Sequence, residues 1–533
     1  MAFYGLSTVP LLQALREAVA EIKQVWLADD ATGAGKLAAL RRWWTVVIEV
    51  GKKFGYYVNE SKSWLILKDD DLLDEAMRLF DGTGIKITTA GKRHLGAAIG
   101  SMDFREQYVG EKLDEWCKEV NKLAEFANTQ PHAAYAAFVH GEQHRFRYFM
   151  RTIPGMENYI KPLDEIINNR LIPAIIGTNI SEIDRELFAL PVRDGGLGMP
   201  QLCETAQSEL AASMTITAPL ATIIALQGTS LPDEDEVTHL HLEHQRTRAV
   251  TKKARSELVD SKLTPDTLRA VQQAREKGAS SWLTARPAQE HGFVLNKSEF
   301  RDAIAIRYNR PIKNLPSTCP CGQPFDLTHA LNCKRGGFIT IRHNEVRDFE
   351  AGLLSKVCAD VEIEPSLTPV EGEQLHPSAI AGDDARLDVR ARGFWRRGQN
   401  NFFDVCITNA NAKSQAGQPI KSLLAKHAKR KKRDYNQRVM EVEHGTLTPL
   451  IFTANGCMGA ECATFHKNLA DKISQKTGEN YADVISFIRC KLSYILLRSA
   501  VLCLRGSRSR ANANLVAVGD DFSLYRAEVG NDS

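Results

Sequence analysis

The sequence predicts an α+β chain built from several domains, and three observations predict it. Its 533 residues exceed what one hydrophobic core organises and suit roughly three domains. Hydrophobic residues make up 43% and charged residues 25%, the balance of a folded globular protein. The apolar pattern also changes along the chain, from short alternating runs at the N-terminus, through long helical spacing from Phe104 to Ile172, to a second mixed region over 316–510. The net charge of +3 does not mark a nucleic-acid binder, so any phosphate-binding surface must be local.

In chain order, Pro10–Glu21 reads as a helix. Val25–Ala28 and the residues after Asp30 suit a tight hairpin with acidic residues at its tip. Lys36–Lys53 has helical spacing, and its Trp43–Trp44 pair reads as core packing. Ala211–Leu226 is the most apolar stretch. Threonines and Pro219 interrupt it, so a buried helix is expected rather than a membrane span, and no membrane partner is expected. Residues 229–265 read as a linker, where His239, His241 and His244 suit a solvated helical face. A helical connector leads to 315. The first twenty residues lack a secretory pattern, so most of the 11 cysteines are expected to be reduced core thiols. The residues after 510 suit a loosely ordered tail.

Three motifs carry chemistry. The first is Asp29–Asp30, adjacent carboxylates after the apolar run Val25–Ala28; polymerases hold two divalent metals with such acids, although surface turns also carry Asp-Asp. Gly33-Ala34-Gly35-Lys36 lacks the first glycine of a phosphate loop and the Ser/Thr after the lysine, and is set aside. The second is Cys319, Cys321, His329 and Cys333, spaced C-x-C-x7-H-x3-C. Three thiolates and one imidazole make a closed set, expected of a structural zinc ion. The third is a helix opening at Arg342-His343-Asn344-Glu345, followed by strands over Val361–Leu367, Arg386–Arg390 and Phe402–Ile407. One aspartate on each of two neighbouring strands, Asp388 and Asp404, lets both carboxylates meet one Mg²⁺ or Mn²⁺, which would activate water on a phosphodiester. The run Lys426–Arg433, with Lys429, Arg430, Lys431 and Arg433, suits a DNA contact. A solvated helix face or a nuclear-localisation signal stays open beside it.

Taken in order, these segments resemble the C-terminal part of a LINE-type (non-LTR) retrotransposon polyprotein. Asp29–Asp30 is similar to the catalytic hairpin of a reverse transcriptase palm, with Leu27 where an aromatic residue is usual. Gly55–Lys62, the turn His94-Leu95-Gly96, Pro131–Tyr135 and Leu190–Leu197 resemble later palm and thumb segments. The Cys-His set, Arg342-His343-Asn344, Asp388 and Asp404 resemble a CCHC knuckle followed by a restriction-like PD-(D/E)xK endonuclease. Leu387 stands where that family has proline, and Cys406 where a lysine would follow the second acid. The family displaces this lysine downstream, so Lys421 or a residue of the run Lys426–Lys432 could serve, and the resemblance points to Lys432 with Tyr435.

The resemblance implies a partial palm over 1–105, a helical thumb over 106–228, a linker and connector over 229–315, the knuckle over 316–336, an α/β nuclease core over 337–510 and a tail over 511–533. It implies metal-dependent nicking of target DNA in target-primed retrotransposition, with Arg342 and His343 among the DNA-binding residues. Element RNA is a further partner, and the nucleus, with the cytoplasm, is the site of action. Only 28 residues precede Asp29, and the acids among them, Glu17 and Glu21, lie on the expected helix. Polymerase activity is therefore not expected of this chain alone; it would need a polymerase half supplied in trans, and a homodimer stays open. The alternative is a catalytically inactive DNA- or RNA-binding remnant or domesticated protein.

Overall fold

The structure is a computed structural model that describes residues 2–370, 385–415 and 417–508. The expected tail over 511–533 lies outside the described residues. The fold is mixed α and β, mostly helical with small sheets. It has two compact units interleaved in sequence. One comprises Met1–Phe126, Ala137–Ala174 and Pro200–Glu257; the other comprises Ala127–Ala136, Ile175–Met199 and the chain from Leu258 on. The stretch expected as a single thumb is therefore shared between them.

In the first unit, helix α1 (Ala2–Ala18) starts earlier and stops sooner than Pro10–Glu21. Strands β1 (Lys23–Leu27) and β2 (Asp30–Ala34) form the expected hairpin, with Leu27 paired to Asp30 across the two-residue turn Ala28–Asp29. Ala28 takes φ 54° there, a positive dihedral of the kind tight hairpin turns require. Helix α2 (Leu37–Gly51) follows. Neighbouring residues on a helix point about 100° apart, and its tryptophans divide accordingly. Trp43 packs with Leu11, Leu15 and Val47, and Trp44 with Leu65, Leu67 and Phe80. Two short strand pairs follow: β3 (Trp64–Ile66) with β4 (Lys86–Thr88), then β5 (Gly91–His94) with β6 (Ala97–Gly100). Helix α3 (Met102–Ala127) begins the helical part.

Two helices of this unit differ from expectation. Helix α4 (Leu202–Leu226) runs through Pro219 without a break, and only Leu202 and Ala206 are buried. The expected buried helix is thus largely exposed beyond Ala206. By length and composition it could cross a membrane. Helix α5 (Glu234–Lys262) replaces the expected linker. Its 29 residues contain neither glycine nor proline, and Glu234, Asp235 and Glu236 in the first turn complement the helix dipole. His239 and His241 lie exposed on it, and His244 is half-buried.

In the second unit, helix α6 (Phe338–Leu354) precedes strands β7 (Ala359–Ile363), β8 (Val389–Arg392) and β9 (Asn400–Thr408), which form an antiparallel meander. Helix α7 (Ile420–Glu441) crosses over to β10 (Thr446–Thr453), parallel to β9. The sheet order is β10-β9-β8-β7. Helices α8 (Ala460–Thr477) and α9 (Tyr481–Arg505) close the unit. Strand β9 reads Phe402-Phe403-Asp404-Val405-Cys406-Ile407, almost continuously apolar, because helices cover both faces. Phe403 and Val405 join Phe394, Phe465 and Leu492 beneath α6, α8 and α9. Phe402 and Cys406 face α7, which supplies Tyr435 and Val439 to one cluster and Leu424 and Ala428 to the next. Pro449 is tolerated because β10 is an edge strand, where no second neighbour needs its missing N–H. The other edge, β7, is charged: Asp360 and Glu362 pair with Arg392 and Arg390 of β8 at 2.5 and 2.6 Å.

The loop after Leu190 belongs to this unit. Arg307 donates to the Val192 and Gly196 carbonyls at 3.1 Å each, and the Tyr135 hydroxyl donates to Leu197 at 2.7 Å. A Cβ at Gly196 would lie 1.9 Å from the Leu190 carbonyl oxygen, so only glycine fits.

Candidate functional site

The cysteine–histidine set comes together as its spacing predicts. Cys319 and Cys321 flank a tight turn closed by Gly322 N–H donating to the Cys319 carbonyl at 2.8 Å, with Gly322 at φ 90°. Asp326 caps the short helix Leu327–Ala330, which presents His329, and Cys333 follows one turn later. The four ligand atoms lie within 4.8 Å of one another. Cys319 Sγ is 3.8 Å from Cys333 Sγ, Cys333 Sγ is 3.9 Å from Cys321 Sγ, and Cys321 Sγ is 3.3 Å from His329 Nε2. A tetrahedron with the usual zinc bond lengths has edges of about 3.8 Å between sulfurs and about 3.5 Å from sulfur to nitrogen. The donor set is therefore compatible with zinc.

The aspartates come together by register. β8 and β9 pair Val389 with Phe403, and one step further sets Asp388 opposite Asp404. The chain is irregular at Asp388: Leu387 packs on the α7 side of the sheet, and Val389, two residues on, packs on the opposite side. β9 loses its β8 partner beyond Phe403. Val405 N–H turns instead to Asp388 Oδ2 at 2.6 Å, and His343 Nε2 lies 3.1 Å from the same oxygen. Burial works to raise the Asp388 carboxyl, but the bonds from His343 and Val405 outweigh it and leave it below the usual range. Asp404 is more deeply buried. Burial, reinforced by Asp388, pushes it up to about 7 against the pull of Lys431. The two carboxyls are close enough to shift one another's charge state.

Helix α7 supplies the cation, from a different position than expected. Lys431 Nζ lies 2.8 Å from Asp404 Oδ2, although that oxygen accepts no hydrogen bond of good geometry. Burial works against the Lys431 ammonium, but Asp404 outweighs it and holds the ammonium above its ordinary range. Lys432, the lysine favoured by the resemblance, points away and pairs with Glu461 at 2.7 Å. The reason is helical geometry: Leu424, Ala428, Lys431 and Tyr435 form one stripe at i, i+4, i+7 and i+11, and position 432 falls off it. Tyr435 is buried among Leu387, Phe402 and Val439, with Lys431 Nζ 5.7 Å from its ring centroid. Lys429, Arg430 and Arg433 are exposed, and Arg433 pairs with Asp434 at 2.9 Å.

Arg342 is buried, and His343 is partly exposed beside Asp388. Arg342 is 4% exposed and donates to the Leu331 carbonyl at 3.2 Å, which ties α6 to the knuckle. Arg508 does the same from the end of α9, donating to the Ala330 carbonyl at 3.3 Å and stacking over Phe325 and Phe338. His343 belongs to the aspartate site. In the first unit, Asp29 and Asp30 are exposed at the hairpin tip. Nearby in that unit, His94 Nε2 lies 3.3 Å from Thr32 Oγ1 of β2, and the Leu95–Gly96 turn is held by the hydroxyls of Tyr148 and Tyr108.

No family profile and no curated protein matches the sequence.

Proposed function

We propose that this chain is a retrotransposon-derived protein whose second unit is a metal-dependent DNA-nicking endonuclease, accompanied by a partial reverse transcriptase in the first unit. The observation that carries the reading is the convergence of Asp388, Asp404 and Lys431 at one point, each from a different element. Two carboxylates and a lysine on a helix–meander–helix–strand core are what a restriction-like nuclease needs. The order of the knuckle, α6 and the two acidic strands supports the same reading.

The residues present fit a divalent cation. Asp404 Oδ2 is a buried oxygen without a well-formed hydrogen bond, and the carboxylates of Asp388 and Asp404 offer the hard oxygen atoms that Mg²⁺ or Mn²⁺ prefers. Asp388 and Asp404 would hold the ion, which when bound supplies an activated water and stabilises charge on the phosphodiester. Lys431 places a fixed positive charge beside that phosphate, where water is scarce and electrostatic stabilisation is strong. Lys429 and Arg430, exposed on the same helix, attract the DNA backbone. The knuckle, tied down by Arg342 and Arg508, orients the substrate. Target DNA and element RNA are the proposed partners, and the nucleus, with the cytoplasm, the proposed place of action.

Cleavage and binding of a duplex, measured on the same zinc-loaded protein, test the proposal. Binding retained and cleavage lost in Asp404→Ala supports it. Equal binding with no cleavage by wild type in Mg²⁺ or Mn²⁺ replaces it with a non-catalytic nucleic-acid binder.

A further inference from the structure

His343 sits beside the aspartate pair, at the point where β8 and β9 part. Its Nε2 lies 3.1 Å from Asp388 Oδ2 and 3.2 Å from the Val405 carbonyl oxygen. The Val405 carbonyl lies beyond the β8–β9 ladder. β8 pairs with β9 only as far as Val389 opposite Phe403, so the Val405 backbone groups on that side have no strand partner. The N–H is taken by Asp388 and the carbonyl by His343. Two oxygens from separate segments thus converge on one ring nitrogen.

We propose that the His343 imidazole is a latch on the metal site: it fills the point between the Asp388 carboxylate and the Val405 carbonyl that a divalent cation would take, and it swings out when the cation binds. The inference rests on the nuclease reading above. Hard cations bind oxygen at about 2.1 Å, so an N–H donor and an ion cannot share these two oxygens. The donor atoms of His343, Asp388 and Asp404 do not all lie within 4.8 Å of one another. Among the described residues, the only group of three or more His, Cys, Asp or Glu side chains whose atoms all fall within 4.8 Å is the cysteine–histidine set. The latch is also the most exposed of the three side chains. The His343 side chain is 32% exposed, against 13% for Asp388 and 5% for Asp404. Without a cation it keeps a buried carbonyl satisfied, which an unpaired backbone group would otherwise make costly.

The test is Mn²⁺ binding by the full zinc-loaded chain, followed by electron paramagnetic resonance, for wild type, His343→Ala, His343→Gln and Asp404→Ala. Removing the competing hydrogen bonds should tighten Mn²⁺ binding by about threefold to tenfold in His343→Ala. His343→Gln keeps a donor and should stay near wild type, and Asp404→Ala should lose the site. Equal or weaker binding in His343→Ala overturns the latch and makes His343 a residue that positions Asp388. Absence of Mn²⁺ binding in wild type and His343→Ala alike overturns the nuclease reading itself. Should the alanine variant not fold, the imidazole ¹⁵N signals of wild type decide. A shift of the His343 resonances as Mg²⁺ saturates the site supports the latch, and unchanged resonances at saturation refute it.

Discussion

Lys431 Nζ stands 2.8 Å from Asp404 Oδ2, while Lys432, the next residue, faces away to Glu461. The two lysines should therefore behave differently. Lys431→Ala should lower the nicking rate by about a hundredfold or more, the usual cost of removing one preorganised charge. Lys432→Ala should change it less than about threefold, since an exposed ion pair contributes little. Single-turnover rates of the two variants check this. Equal losses would mean that α7 reaches the site by another face.

Lys429 and Arg430 are exposed on α7, and their expected role is electrostatic. Each alanine substitution should weaken DNA binding uniformly across sequences and reduce the slope of log K against log salt by about 0.9. A salt titration of duplex binding measures it. An unchanged slope would return the basic run to a solvated helix face.

The knuckle is joined to the second unit through carbonyls of Ala330 and Leu331, which accept from Arg508 and Arg342. Metal binding to a site absent from the unfolded chain adds directly to folding stability. Chelation, or Cys333→Ser, should release about one zinc per chain and lower the melting temperature of the second unit. Zinc content by mass spectrometry with calorimetry reads both. Release without destabilisation would make the knuckle an independent appendage.

Glu345 faces α9, where Ser499 Oγ donates to it at 2.6 Å. Burial pushes its carboxyl up to about 7, above its value in the unfolded chain. A carboxyl raised in the folded state favours folding only while protonated. Its contribution is complete below the unfolded value and is lost as pH rises through about 7. Glu345→Gln should thus be near neutral at low pH and more stable than wild type by about 1–2 kcal/mol at pH 8, allowing for partial exposure. Urea unfolding at both pH values checks the sign.

What the sequence made legible was local. The hairpin at Asp29–Asp30, the cysteine–histidine set and strand β9 follow from turn chemistry, ligand spacing and an apolar run, each contained in a few residues. Two kinds of feature were not legible. Helix α5 was read as a linker because its polar, histidine-rich face hides any period, yet the absence of glycine and proline was a usable signal. Within the run Lys426–Lys432 the sequence favours Lys432 over Lys431, because five consecutive basic residues offer no contrast; counting back one turn from Tyr435 selects Lys431. The pairing of His343 with Asp388 spans 45 residues and depends on where β8 ends, which no local pattern records.

The most direct test of the central claim is nicking of supercoiled plasmid by the zinc-loaded chain in Mg²⁺ or Mn²⁺, beside Asp388→Ala and Asp404→Ala. Wild type should give open-circular product that depends on the divalent ion and is lost in both variants. Nicking that persists in either variant, or a folded wild type that leaves the plasmid intact, would contradict that claim.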